Sequence, residues 1–258
     1  MSELVLRPRS ATELIDAAFQ VYRRSPVPFI VAMALIYVPW LGVRLLLKLD
    51  VPDRPDQLTA GLVRLATIGG AAALLLYCLA GGVGFVLARA VYLDEPLDIA
   101  DAFRRTFTRL PQLLLATIIE FILVGIGFLF LIVPGVYLAA QFFAVRQAIV
   151  LEDAGPFRAL GRSTTLSSGQ KLHILGTLIL ITLLALVVDG GAAMLIGLQP
   201  SKALTAVLLT GISIVVYPLF VITETVLYFD TRIRKEGFDV EYLAGAASDG
   251  AAATGLTA

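Results

Sequence analysis

Apolar residues in this chain run in long unbroken blocks, and the polar residues collect between them. A water-facing helix would instead show an apolar stripe recurring every three to four residues. The blocks predict six membrane spans, at residues 28–47, 65–93, 110–133, 135–151, 172–195 and 204–229. Each is near or above the ~17 to 25 apolar residues that a bilayer core requires, the fourth being the shortest. Between the third and fourth, Leu131-Ile132-Val133-Pro134-Gly135 leaves almost no loop. Pro134 removes a backbone donor and Gly135 supplies turn geometry, so the expectation is a tight antiparallel hairpin. Pro39 and Pro218 interrupt the first and sixth blocks, where each is expected to bend its helix.

Segments of mixed character precede the first, third and fifth spans. Ser10-Ala-Thr-Glu13 is a capping box, after which Leu14, Ala18, Val21 and Tyr22 share a helical face that Glu13, Asp16, Gln20 and Arg24 avoid. Asp98-Ile-Ala-Asp101 opens a second amphipathic segment with Ile99, Phe103 and Phe107 in register, and Gly155-Pro156 opens a third. This rhythm reads either as a unit of interfacial helix plus two spans used three times, or as three basic loops that each enter a membrane leaflet. In the second span Ala80, Gly84 and Ala88 form a smooth stripe for close packing, within the chain or between copies.

Composition agrees with a bilayer as the solvent: 258 residues, 58% hydrophobic and 16% charged, with 20 basic against 20 acidic side chains. The zero balance gives no sign of a nucleic-acid partner, so only the position of each charge informs. One face carries Arg7, Arg9, Arg23, Arg24, Arg104, Arg105, Arg109, Arg158, Arg162, Lys171, Arg232, Arg234 and Lys235. The other carries Lys48, Arg54 and Lys202, with Arg44 and Arg64 near span ends. Short basic loops stay in the cytoplasm, which places both termini there. The first 25 residues lack the apolar stretch of a cleavable leader, so the first span is expected to be retained.

Charge inside hydrocarbon costs roughly 2.5 to 3.5 kcal/mol at a helix centre, so each such residue needs a partner or a purpose. The intramembrane polar candidates are Glu120, Arg146 and Asp189. Glu120 precedes Pro134 by 14 positions and Arg146 follows it by 12. Across a regular hairpin their depths differ by about 3 Å, and an ion pair between them is expected. Asp189 lies toward the opposite end, near Arg44 or Arg64, while Glu224 and Arg89 are near enough to span ends to snorkel. Arg232, Arg234 and Lys235 follow the aromatic pair Tyr228-Phe229 and are candidates for contact with lipid headgroups, although Asp230 is spaced to pair with Arg234 on the helix surface.

Catalytic apparatus is not legible. A single Cys78 excludes an internal disulfide, and Cys78 with a single His173 leaves no His/Cys set for zinc. Asp189 has no second deep aspartate, His173 sits at a span entry, and no phosphate-cradling Gly-rich loop ends in Lys-Ser/Thr. No metal or cofactor is expected, and the chain is read as a non-enzyme.

Three stretches carry a resemblance. Leu6 to Arg24, Phe130 to Leu138 continuing to Ala148-Ile-Val-Leu-Glu152, and Tyr228-Phe-Asp-Thr-Arg-Ile-Arg-Lys-Glu-Gly-Phe-Asp239 resemble the membrane region of the glycerophosphoryl diester phosphodiesterase membrane domain family. The resemblance implies a bacterial multi-span fold with cytoplasmic interfacial or re-entrant helices. It supplies no catalytic residues, since the chain has no room for the catalytic barrel.

The expectation is thus an all-α polytopic protein of the bacterial inner membrane, with a six-span domain at 1–243 and a disordered Ala/Gly-rich tail at 244–258. Its leading role is a scaffold or accessory subunit organising anionic lipid or a partner membrane protein through a basic cytoplasmic face. The alternative is a transporter or lipid-handling permease with a polar interior around Glu120, Arg146 and Asp189. A third, weaker reading puts a catalytic domain on another chain.

Overall fold

Ser10 and Glu13 start the first helix. The structure, a computed structural model, describes residues 7–47, 58–196 and 201–240. In it the Ser10 hydroxyl accepts from the Glu13 N–H at 3.4 Å and the Glu13 carboxylate accepts from the Ser10 N–H at 2.8 Å. This reciprocal box opens α1 (Ala11–Arg24), and Leu14, Ala18 and Val21 are fully buried on the face their spacing predicts. Ser25 turns the chain, and Pro26 supplies the fixed φ of a first turn at the start of α2 (Pro26–Leu46).

All regular elements among the described residues are helical. Helix α3 (Leu58–Arg64) passes through a short π-type stretch, Leu65–Gly69, into α4 (Gly70–Tyr92). There follow α5 (Ile99–Phe130), α6 (Ile132–Gln141), α7 (Val145–Leu151), α8 (Pro156–Ser167), α9 (Lys171–Ile196) and α10 (Lys202–Glu236). Six stretches are long and apolar enough to cross a membrane: Pro26–Leu46, Gly61–Tyr92, Ile99–Phe130, Ile132–Leu151, Lys171–Met194 and Lys202–Glu236. Pro39 and Pro218 lie within unbroken helices. The expected tail and residues 48–57 of the first loop between spans fall outside the described residues.

Local chemistry moves two boundaries from their expected places. Asp98 caps α5, accepting from the N–H groups of Ala100 and Asp101 at 2.8 and 3.2 Å, but no separate interfacial helix follows. The amphipathic segment and the third span are one helix of 32 residues, with Pro111 inside it. The hairpin after it turns at Leu131 alone, in extended geometry with φ −167° and ψ 161°, and Pro134 sits in the first turn of α6, where its missing donor is not needed. Gly135 is a packing residue here. A Cβ on Gly127 would lie 2.9 Å from the Gly135 Cα, and one on Gly135 would run into the Phe128 ring.

The fourth span is discontinuous. Helix α6 ends at Gln141 and α7 begins at Val145, and α8 satisfies the opened backbone between them. The Ser163 hydroxyl donates to the Gln141 carbonyl at 2.8 Å and accepts from the Ala144 N–H at 3.0 Å, and Ser167 donates to the same carbonyl at 3.3 Å. An irregular backbone in an apolar setting needs such partners.

Helix α4 packs against α2, α5, α7 and α10, and α1 lies across α9 and α10. The small-residue stripe serves this packing: Ala80 and Ala88 are fully buried, and a Cβ on Gly84 would lie 2.6 Å from Val221 of α10. The buried residues gather toward the face where the two ends of the described chain meet, here termed the terminal face. The opposite halves of α2 and α9 expose Val38, Val43, Leu186 and Val187.

Candidate functional site

On the terminal face, Asp230 of α10 is 2% exposed and holds three elements together. It accepts from the Arg9 backbone N–H at 2.7 Å, from Arg234 Nε at 2.7 Å, and pairs with His173 Nε2 of α9 at 3.0 Å. Arg234 also donates to the Arg9 carbonyl at 2.6 Å, and Tyr92 stacks on Phe229 beneath. A second hub forms around Glu152. Arg162 of α8 binds it with two donors at 2.7 and 2.8 Å, the Tyr228 hydroxyl donates to it, and Arg232 lies 3.7 Å away. Arg162 and Arg232 also reach Glu236.

The electrostatics follow from those partners. Burial pushes the Glu152 carboxyl up, but the hydrogen bonds from Arg162 and Tyr228 and the charges of Arg162 and Arg232 outweigh it and hold the group below the usual carboxylate range. The same carboxylates hold the Arg162 guanidinium above its ordinary value. Glu13 is held at about 2, chiefly by the Ser10 N–H and then by Arg7.

Within the span region lies a separate charged cluster. Arg146 is the second residue of α7 and its side chain is 4% exposed. Its Nη2 donates to both oxygens of Glu224 on α10, at 3.0 and 2.9 Å. The guanidinium carbon lies 3.9 Å from the Tyr77 ring centroid and 5.1 Å from that of Phe85. A Cβ on Gly81 would lie 2.5 Å from Nη1, so the absent side chain makes room for the cation. A cavity of about 230 Å³ reaches Glu224 from between Tyr37, Tyr77, Ser213 and Tyr217.

These positions correct the expected pairing. Arg146 meets Glu224, and no contact within ion-pair distance joins it to Glu120, whose Oε2 is enclosed with no hydrogen-bond partner among the described residues. The depth arithmetic assumed a fourth helix continuous from Pro134. The break at Phe142–Ala144 redirects α7, which carries Arg146 across α4 toward α10. Glu224 is therefore a largely enclosed partner of Arg146, its side chain 14% exposed, while Arg89 pairs with Glu95 at 3.0 Å. Asp189 falls in the far part of α9, and its side chain lies outside what the structure describes.

The expected headgroup residues all have partners within the chain. Arg234 binds Asp230, the spacing already visible in sequence; Arg232 binds Glu236 at 3.1 Å and lies 4.3 Å from the Phe238 ring centroid; Lys235 donates to the Ser168 hydroxyl at 3.0 Å. Sequence reasoning missed Glu152, Asp230, Ser163 and Glu224 as organising groups. The first two stood inside the stretches that drew notice, but their partners are distant in sequence.

Comparison with known proteins places this architecture. Residues 70–230 match the family described as "Domain of unknown function (DUF7847)". The chain belongs to that family. It is also 31% identical over 157 residues to "UPF0259 membrane protein SG1383" of Sodalis glossinidius (strain morsitans), a match covering 60% of each chain. The match thus spans under two thirds of that relative's length. No solved structure matches. These findings correct the resemblance to the glycerophosphoryl diester phosphodiesterase membrane domain family, because neither the DUF7847 match nor the curated relative points to it. Parts of the three stretches that carried the resemblance meet on the terminal face, where Asp230 binds Arg234 and the Arg9 backbone, and Glu152 lies beside Arg232.

Proposed function

We propose that this DUF7847 member is a non-enzymatic scaffold or accessory subunit of the bacterial inner membrane, which organises anionic lipid or a partner membrane protein through its terminal face. The observation that carries the reading is the pair of hubs at Asp230 and Glu152. Together they lock the N-terminal segment, α8, α9 and α10 into one rigid surface, while apolar faces of α2, α5 and α9 are left to the bilayer. The basic residues gathered on that face support a cytoplasmic orientation, where anionic headgroups add about 1 kcal/mol per nearby cation. A charge-stapled surface is suited to holding a fixed shape against headgroups or a neighbour.

The test is native mass spectrometry of the full chain extracted in its own lipids. Retention of anionic over zwitterionic phospholipids is the expected result, and equal retention of both classes contradicts the reading. One observation favours the permease alternative, the tyrosine-lined cavity beside Glu224, which gives a polar interior to a membrane-embedded site.

A further inference from the structure

The terminal face holds a groove of about 600 Å³ between α6, the α8–α9 turn and the end of α10, lined by Tyr137, Ser168, Gly169, Lys171, His173 and Arg234. We propose that this groove binds the phosphate of an anionic lipid headgroup, with Lys171 of its lining and Lys235, which is bonded to Ser168 of that lining, as the contacting cations; the proposal rests on the scaffold reading above and deepens it.

Position and charge together single out these two lysines: Arg23 and Arg158 also have no carboxylate partner among the described residues but do not line the groove, whereas Lys171 lines it and Lys235 is bonded to Ser168 of its wall. Arg24, Arg104, Arg105, Arg109, Arg162, Arg232 and Arg234 each have a carboxylate partner. Lys171 and Lys235 have none among the described residues. Lys171 Nζ is held by the Gln141 amide oxygen at 2.9 Å and lies 3.3 Å from the Tyr137 ring centroid. Lys235 Nζ is held by Ser168 at 3.0 Å. Each ammonium has three donors, so these neutral contacts orient it and leave donors for an anion. Gly169 of the groove lining has φ +76°, a conformation that suits glycine, and a Cβ there would come 3.9 Å from Lys235 Nζ. The Asp230 carboxylate near the groove is taken up by Arg234, His173 and the Arg9 N–H.

The setting favours a lipid over a soluble phosphate. Leu172, next to Lys171, is 87% exposed at the start of a membrane span, and Tyr137, 51% exposed, stands at the opposite wall. A headgroup phosphate on the lysines would leave its acyl chains along this apolar surface, whereas a free phosphate gains nothing from it.

The experiment measures binding of dihexanoyl phosphatidylglycerol, dihexanoyl phosphatidylcholine and inorganic phosphate to the detergent-solubilised full chain at low salt, by thermal shift and native mass spectrometry. Phosphatidylglycerol is expected to bind the wild type, with roughly thirtyfold weaker binding by Lys171→Gln/Lys235→Gln. Lys171→Arg/Lys235→Arg and the exposed Arg158→Gln should retain it, which separates the groove from general surface charge and from misfolding. Equal binding by the Gln double variant overturns the groove; if the wild type still prefers anionic lipid, the scaffold reading stands without it. Binding of inorganic phosphate as tight as that of phosphatidylglycerol overturns the lipid assignment. No preference of the wild type for phosphatidylglycerol over phosphatidylcholine overturns both.

Discussion

Separating Arg146 from Glu224 is expected to be among the most damaging conservative changes in this protein. Arg146→Met fills similar space but leaves Glu224, 14% exposed and bonded through both oxygens, with no cation in contact. Stranding one member of a buried pair costs about 3 to 5 kcal/mol. Glu224→Gln strands the guanidinium instead. The Tyr77 and Phe85 rings, 3.9 and 5.1 Å away, return part of that loss, on the order of 0.5 to 2 kcal/mol. The double variant removes both charges, so its loss should fall well below the sum of the singles, a coupling of roughly 2 to 3 kcal/mol. Glu120→Gln should couple to Arg146→Met less strongly than Glu224→Gln does, because Arg146 acts on Glu120 only through space and without ion-pair contact. Equilibrium unfolding in mixed micelles of six proteins, the wild type, the three single variants and the Arg146→Met/Glu224→Gln and Glu120→Gln/Arg146→Met doubles, measures all of these terms. Additive losses for Arg146 and Glu224, or a larger coupling between Arg146 and Glu120, would refute the assignment.

Ser163→Ala removes a hydroxyl that satisfies both the Gln141 carbonyl and the Ala144 N–H, and a loss of about 1 to 3 kcal/mol is expected in the same assay. Gly127→Ala places a methyl 2.9 Å from the Gly135 backbone, which should cost about 1 to 3 kcal/mol and part α5 from α6, read as increased spin-label distance across the hairpin. Asp230→Asn should cost roughly 2 kcal/mol and raise proteolysis at the N-terminal segment, since Arg9 and Arg234 lose a charged acceptor. Glu13 and Glu152 have carboxyls depressed in the folded state, so their stabilisation is complete above the ordinary value of 4.5 and is lost as pH falls below it, for Glu13 through about 2. Thermal melts from pH 6 to pH 2 should therefore show declining stability, with a shallower decline in Glu152→Gln.

The spans were legible because a bilayer demands uninterrupted apolar length, and α1 was legible because its capping box and buried stripe are local. Helix boundaries that depend on tertiary contacts were not. The break before Arg146 exists because Ser163 and Ser167, on another helix, satisfy its backbone. Nothing within residues 135–151 announces it. Arg146 was visible as an intramembrane charge, but Glu224 was read as close enough to a span end to snorkel, and a depth count on unbroken helices sent the arginine to Glu120. Arg234 and Asp230 could be matched by their spacing of four, whereas Arg9 and His173 come to the same carboxylate from distant parts of the chain.

On the proposed function, the terminal face, and not the interior, meets anionic lipid. Hydrogen–deuterium exchange of the wild type in nanodiscs with and without phosphatidylglycerol tests it most directly. Added anionic lipid should raise protection in α1, in the α8–α9 turn and at the end of α10, with the helix segments around Tyr37, Tyr77 and Tyr217 unchanged. Unaltered protection of the terminal face, or protection gained instead around that tyrosine-lined cavity, would contradict the scaffold account.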